Sequence, residues 1–238
     1  FIDLVKGATP ISTCQNITSS GEYYVTADIS GFLGGYDVVC IQISANDVSL
    51  DLNNHSITNS RPWGAPNAMM ISGVHDIMVF NGTLRTPNCV SGGHDLLLSY
   101  VQNSTFKNLH LYCGDASLYI DHSSRLQFYN ITWEAHPHLT PYGTGFFSSA
   151  SICIVAESLE DFDGTDADEL YFSGSDNISL TRVKSKHLTI DVGSDNNYVC
   201  GYFPTGVVNS GINNTVVNRI DYWNCPNIQN IPDPCDLI

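Results

Sequence analysis

Short stretches of alternating apolar and polar residues punctuate the chain, with the two-residue period of a strand that buries one face. Four of them align without gaps. They are MMISGVHDIMVFNGTL from Met69 to Leu84, LLLSYVQNSTFKNLHL from Leu96 to Leu111, LYIDHSSRLQFYNITW from Leu118 to Trp133, and LYFSGSDNISLTRVKS from Leu170. In each, a first strand ends on Ile71, Leu98, Ile120 or Phe172, and a polar corner follows. A second strand opens six residues after that landmark, at Ile77, Ser104, Leu126 or Ile178. Ten residues after it stands Asn81, Asn108, Asn130 or, in the last copy, Arg182. A further copy with the ten-residue interval runs from Val208 to Asn218, and an earlier one, from Ile41, has a corner one residue shorter.

The copies recur every ~22–29 residues, the period of one solenoid coil. Strands this short, separated by corners of Ser, Asn, Asp and Gly, cannot bury an apolar face alone, whereas stacked coils share a continuous core. The pattern therefore predicts an all-β chain, a right-handed parallel β-helix. A β-sandwich would leave the fixed ten-residue interval without a cause. The expected organisation is one domain over 1–238. It has an extended segment at 1–13, one long insertion at about 134–169 that fits no coil, and a Pro-rich tail at 224–238.

The stretch from Ile11 to Ile57 carries a more particular pattern: Cys14, the strand Gly21–Tyr24, Cys40–Ile43, and the turn Leu50–His55. In this it resembles the opening coils of the pectin-lyase-like superfamily, and most closely its copper-binding-protein-type, periplasmic branch. Asn54 stands where that family's turn usually has glycine. The resemblance implies a parallel β-helix and a Cys14–Cys40 disulfide. It implies little about function, since the superfamily hosts lyases, hydrolases, epimerases, adhesins and inert rods.

Charge narrows the partners. Only 14% of the 238 residues are charged, yet 9 basic residues face 24 acidic ones, for a net charge of -15. That balance argues against a nucleic-acid footprint and against anionic polysaccharides or lipid head groups. No apolar run reaches the ~18–20 residues of a membrane-spanning helix. The cysteines are Cys14, Cys40, Cys89, Cys113, Cys153, Cys200, Cys225 and Cys235, an even number with no C-x-x-C pair, which reads as disulfides rather than zinc. Cys89 and Cys113 follow the third strand of adjacent coils and are expected to pair; Cys225 is left to choose between Cys200 and Cys235. Seven N-glycosylation sequons stand at Asn16, Asn54, Asn81, Asn103, Asn130, Asn177 and Asn213. Disulfides and sequons together predict a secreted protein carrying N-linked glycans.

Candidate chemistry concentrates in the expected insertion. The run DFDGTDADE offers Asp161, Asp163, Asp166 and Asp168 as hard oxygen ligands for calcium, although a solvated acidic loop is the commoner fate of such a run. His136 and His138 could chelate a transition metal, and again surface residues are the plainer reading. Beyond calcium no cofactor is expected. Glycosidase chemistry needs two facing carboxylates. A polygalacturonase-like set would add a D-D pair that the chain lacks, leaving only the fragments Gly93-His94-Asp95 and Arg219-Ile220-Asp221. No G-x-S-x-G elbow is present, and the alternating Arg182, Lys184 and Lys186 read as a solvated face. The expected function is a secreted, N-glycosylated structural or adhesive surface protein. Self-association, up to an extracellular fibre, would run through the apolar segment Phe1, Ile2, Leu4 and Val5. The alternative is a carbohydrate-active enzyme or carbohydrate-binding module for a neutral polysaccharide.

Overall fold

The computed structural model describes residues 7–34, 38–61, 64–86, 93–112, 116–134, 144–149, 152–161, 169–185 and 187–226. All strand pairing in it is parallel and joins successive coils, so the chain is a parallel β-helix. Two sheets run along the rod, one of twelve strands and one of nine. The register is the one the repeat demands: Ile71 lies beside Leu98 and Leu98 beside Ile120. On the wider sheet Ser104 lies beside Leu126, and Thr105 beside Met78.

The ten-residue landmark is a bend. Asn81, Asn108, Asn130 and Arg182 have φ of 61, 53, 53 and 52°, inside strands that continue on both sides. Asparagine tolerates this left-handed conformation better than most residues, because its short amide compensates locally. The amides then stack: Asn108 Nδ2 donates to Asn81 Oδ1 (3.0 Å), and Asn130 Nδ2 to Asn108 Oδ1 (3.1 Å). Asn81 Nδ2 continues the ladder to Asp51 Oδ1 (3.3 Å). A second left-handed column, Asp47, Asp76, Asn103, Arg125, Asn177, Asn196 and Asn213, turns the chain into the wider sheet.

Between the bends the inward residues are apolar and wholly enclosed: Met69, Leu96 and Leu118 from one side, Val79, Phe106 and Phe128 from another, Leu84, Leu111 and Trp133 from the third. The Phe106 and Phe128 rings stack at 5.1 Å. Several core polar groups are bonded at corners. Ser104 Oγ accepts from Ile77 N, and the buried Asn59 amide donates to Val38 O and Asn67 O. Ser117 Oγ, Trp133 Nε1 and Thr181 Oγ1, all buried, have no hydrogen-bond partner among the described residues.

Three expectations need correction. The insertion at 134–169 contains a regular coil: Thr144–Ser149 joins the nine-stranded sheet and Ile152–Asp161 the twelve-stranded one, each paired on both sides. Ser148 takes the first landmark's place, beside Ile120 and Phe172, and Ile154 follows six residues later as the repeat requires. Only 135–143 and 162–168 lie outside the described part of that stretch. The copy read from Val208 is one residue out of register: Asn209, not Val208, lies beside Ile190. Coil length also falls below the expected range late in the chain, to the 18 residues from Phe172 to Ile190.

Cys14–Cys40 is a disulfide, as the resemblance implies, and Cys200–Cys225 decides the choice left open at Cys225. The latter ties the turn at Tyr222–Asn224, with Tyr222 buried beside both sulfurs, onto the last coils. Cys89, Cys113 and Cys235 lie outside the described residues, as does the side chain of Cys153.

Candidate functional surface

The outer face of the nine-stranded sheet is a product of register. Because each strand sits directly on the next, one line of register partners reads Gln42, Met70, Leu97, Tyr119, Phe147, Tyr171, Thr189, Val208. Its middle is apolar and aromatic, and Met70, Leu97, Tyr119 and Tyr171 are half-exposed. The column beside it is small and polar: Ser72, Ser99, Asp121, Ser149, Ser173. Met70, Leu97, Tyr119 and Tyr171 thus set ring and methylene surface beside the hydroxyls of Ser72, Ser99 and Ser173 and the carboxylate of Asp121.

Aromatic side chains gather around Tyr119 and Asp121. His94 packs on Tyr119 with ring centroids 4.7 Å apart, and Tyr100 stacks on His122 at 4.9 Å. His122 Nδ1 lies 2.7 Å from Asp121 Oδ1. Partial burial pushes the Tyr119 hydroxyl above the usual phenol range, and the neighbouring Asp121 carboxylate adds to it. Further along, Tyr171 donates its hydroxyl to Asp191 Oδ2 at 2.9 Å. The Val192 backbone amide and that hydroxyl hold Asp191 below the usual carboxylate range. Asp191 is therefore ionised at neutral pH and acts as an acceptor.

The two carboxylates do not form a hydrolytic pair. Asp121 reaches Asp191 through Ser149 and Ser173, three coil steps of about 4.8 Å, or about 14 Å in all. Glycosidase carboxylates stand about 5–9.5 Å apart.

A concavity of about 300 Å3 lies at the asparagine bend, lined by Asn54, Gly82, Thr83, Asn108, Leu109, His110, Asn130 and Thr132. It exists because the coil before it bends later and more widely: Asp51 lies beside Phe80 and Ser56 beside Thr83, so residues 52–55 bulge over Asn81 and Gly82 below. Gly82 makes room for that bulge, since a Cβ there would come within 2.5 Å of His55 O and Leu52 Cβ. His110 Nδ1 and Thr132 Oγ1 meet at 2.8 Å on its wall.

The remaining sequence candidates fall as follows. Six of the seven sequon asparagines, Asn54, Asn81, Asn103, Asn130, Asn177 and Asn213, occupy left-handed corners; Asn16 alone sits in extended backbone. Asp161 ends a strand, while Asp163, Asp166 and Asp168 lie outside the described residues, as do His136, His138, Lys186 and the segment Phe1–Val5. No cluster of three or more candidate metal ligands occurs among the described residues. Neither polygalacturonase-like fragment forms a site. Asp95 is buried, accepting from Thr86 N and Oγ1 at 2.9 Å each. Arg219 closes a two-pronged pair on Asp221 at 2.6 Å, which holds that carboxylate far below its usual range. Sequence reasoning missed the outward column, whose signal was the second x position of each strand read down the repeat rather than along it.

No family model matches the chain, and no curated protein matches it significantly. Among solved structures it is similar to the enzymatically active domain of tailspike protein 2 of bacteriophage CBA120, at 11% identity and a TM-score of 0.32. That likeness covers 86% of this chain but 39% of the tailspike chain, and at this level it says nothing about function. Among the described residues no helix is long and apolar enough to cross a membrane. What the molecule itself establishes is a disulfide-bonded parallel β-helix.

Proposed function

We propose that this chain is a secreted, N-glycosylated adhesive surface protein that holds a neutral polysaccharide along the outer face of its nine-stranded sheet. The carrying observation is the register-aligned column Leu97, Tyr119, Phe147, Tyr171 beside Ser99 and Asp121. Its rungs repeat about every 4.8 Å, close to the length of a sugar unit, so an extended chain laid along the rod meets a new platform at each step. The net charge of -15 favours neutral over anionic polymers. The 14 Å separation of Asp121 and Asp191 supports binding rather than cleavage. The test is electrophoresis of the native protein through gels containing neutral glucans, mannans or galactans. Retardation by at least one, weakened about tenfold in Tyr119→Ala and in Tyr171→Ala, is the expected result, since one ring stack is worth up to about 1.5 kcal/mol. Migration indifferent to every polymer would refute the reading.

A second reading, end-to-end self-association, is favoured by Val208, Ile212, Ile220 and Trp223, four exposed apolar side chains gathered on the last described coils. A neighbouring copy's segment Phe1, Ile2, Leu4, Val5 is the complementary surface. Mass photometry of the native protein, with and without residues 1–8, decides it: oligomers that persist after the deletion exclude that segment.

A further inference from the structure

We propose that the groove at the asparagine bend is the seat of an N-linked glycan carried by Asn54, whose first N-acetylglucosamine lies against Thr83, His110 and Asn108. The inference rests on the reading of the chain as a secreted, N-glycosylated protein. It adds which sequon matters and what the folded chain does with the sugar.

Three observations carry it. Asn54 lies on the wide bulge of residues 52–55, exposed, with its backbone N–H bonded to Asn81 O (2.7 Å) and its amide side chain bonded to nothing among the described residues. The groove begins at that side chain and descends over the next bends, its volume of about 300 Å3 at the lower end for ligand pockets. Its lining is neutral and polar, amides, hydroxyls and one imidazole without a carboxylate, with Gly82 and the core residue Leu109 between them. Such a lining suits an acetamido sugar, which brings both donors and acceptors and a methyl group. Asn130, the other sequon on the groove, has its amide nitrogen committed to Asn108. Asn81, Asn103 and Asn213 likewise spend theirs on Asp51, Asp76 and Asn196.

Attachment is the ordinary transfer from a lipid-linked pyrophosphoryl oligosaccharide. Asn54 Nδ2 forms the bond to the sugar's anomeric carbon and gives up one proton, and the lipid pyrophosphate leaves with the electrons of the broken C–O bond. One N–H remains on Nδ2 to donate into the groove.

The test uses the full chain secreted from a host that adds high-mannose glycans. One endoglycosidase leaves the first N-acetylglucosamine in place; an amidase removes the whole glycan and leaves Asp. Glycopeptide mass spectrometry should find Asn54 occupied. Trimming to the first sugar should leave Tm unchanged, while complete removal should lower it by about 2–4 °C. That gap should vanish in Asn54→Gln, and in Asn54→Asp, which controls for the charge the amidase creates. It should shrink in His110→Ala, which leaves every sequon intact. An unoccupied Asn54 on a chain glycosylated elsewhere would overturn the inference, as would an equal gap in the native chain and Asn54→Gln. A chain bearing no glycan at any sequon would overturn the glycoprotein reading and this inference with it.

Discussion

Asn108 is the place to ask what the bend requires of its residue. Its amide both gives and receives in the ladder, at 3.0 and 3.1 Å, and its φ is 53°. Alanine there removes two hydrogen bonds and keeps a Cβ in the left-handed region without the amide that compensates for it. A net bond is worth about 0.5–1.5 kcal/mol, and the residue is exposed, so the lower end applies and the pair contributes about 1 kcal/mol. The left-handed backbone adds about 1–2 kcal/mol for alanine. Asn108→Ala should therefore cost about 2–3 kcal/mol. Asn108→Gly loses the same bonds without the Cβ penalty and should cost about 1 kcal/mol. The order is the reverse of an ordinary strand interior, where glycine is the worse residue by about 0.5–1 kcal/mol. Urea unfolding with disulfides intact measures both, and amide exchange over Gln102–Tyr112 detects loosening confined to neighbouring coils. If the alanine variant proved as stable as the glycine variant, or more so, the left-handed bend would not be what selects asparagine.

Three further outcomes are expected. Gly82→Ala should destabilise by about 1–3 kcal/mol, since backbone and Leu52 stand in the way of its Cβ; a melting temperature equal to the native one would show the bulge yields freely. Replacing Cys14 and Cys40 together with alanine should cost about 3.5 kcal/mol, from the loop their 26-residue separation closes, read as a lower urea midpoint; an unchanged midpoint would deny the bond a role. Tyr119 should be protonated in the native state above the ordinary phenol value near 10, so the native chain holds a proton the unfolded chain has lost, and stability falls as pH rises past ~10. Phenolate absorbance should show a late-titrating tyrosine that disappears in Tyr119→Phe and moves partway back in Asp121→Asn; no movement in the latter would remove the carboxylate as a cause.

What could be read beforehand follows from where the physics is local. The alternation, the six-residue corner and the ten-residue bend are set within one coil, and they located Ile71, Leu98 and Ile120 on one line. The coil at 144–161 escaped because Ser148 stands where its neighbours have a large apolar residue, so the apolar landmark vanished while the spacing survived. Val208 misled in the opposite way, being an apolar side chain on an outward position, 48% exposed. The surface column was harder still, since Tyr119 and Tyr171 become neighbours of Phe147 only once the coils are stacked. The sequons carry a lesson about inference: the same bends that demand a left-handed residue enrich asparagine for reasons of backbone geometry alone.

The parallel register also means that every coil hands on the same three directions it received. Ile43 and Ile71 occupy equivalent points of successive coils, and the chain between them, like any such stretch, returns to where it began one rung higher. Length in this molecule is therefore a counted quantity. Adding or losing a whole coil would change its reach by about 4.8 Å and leave each long face pointing where it did, so reach and recognition can be altered separately.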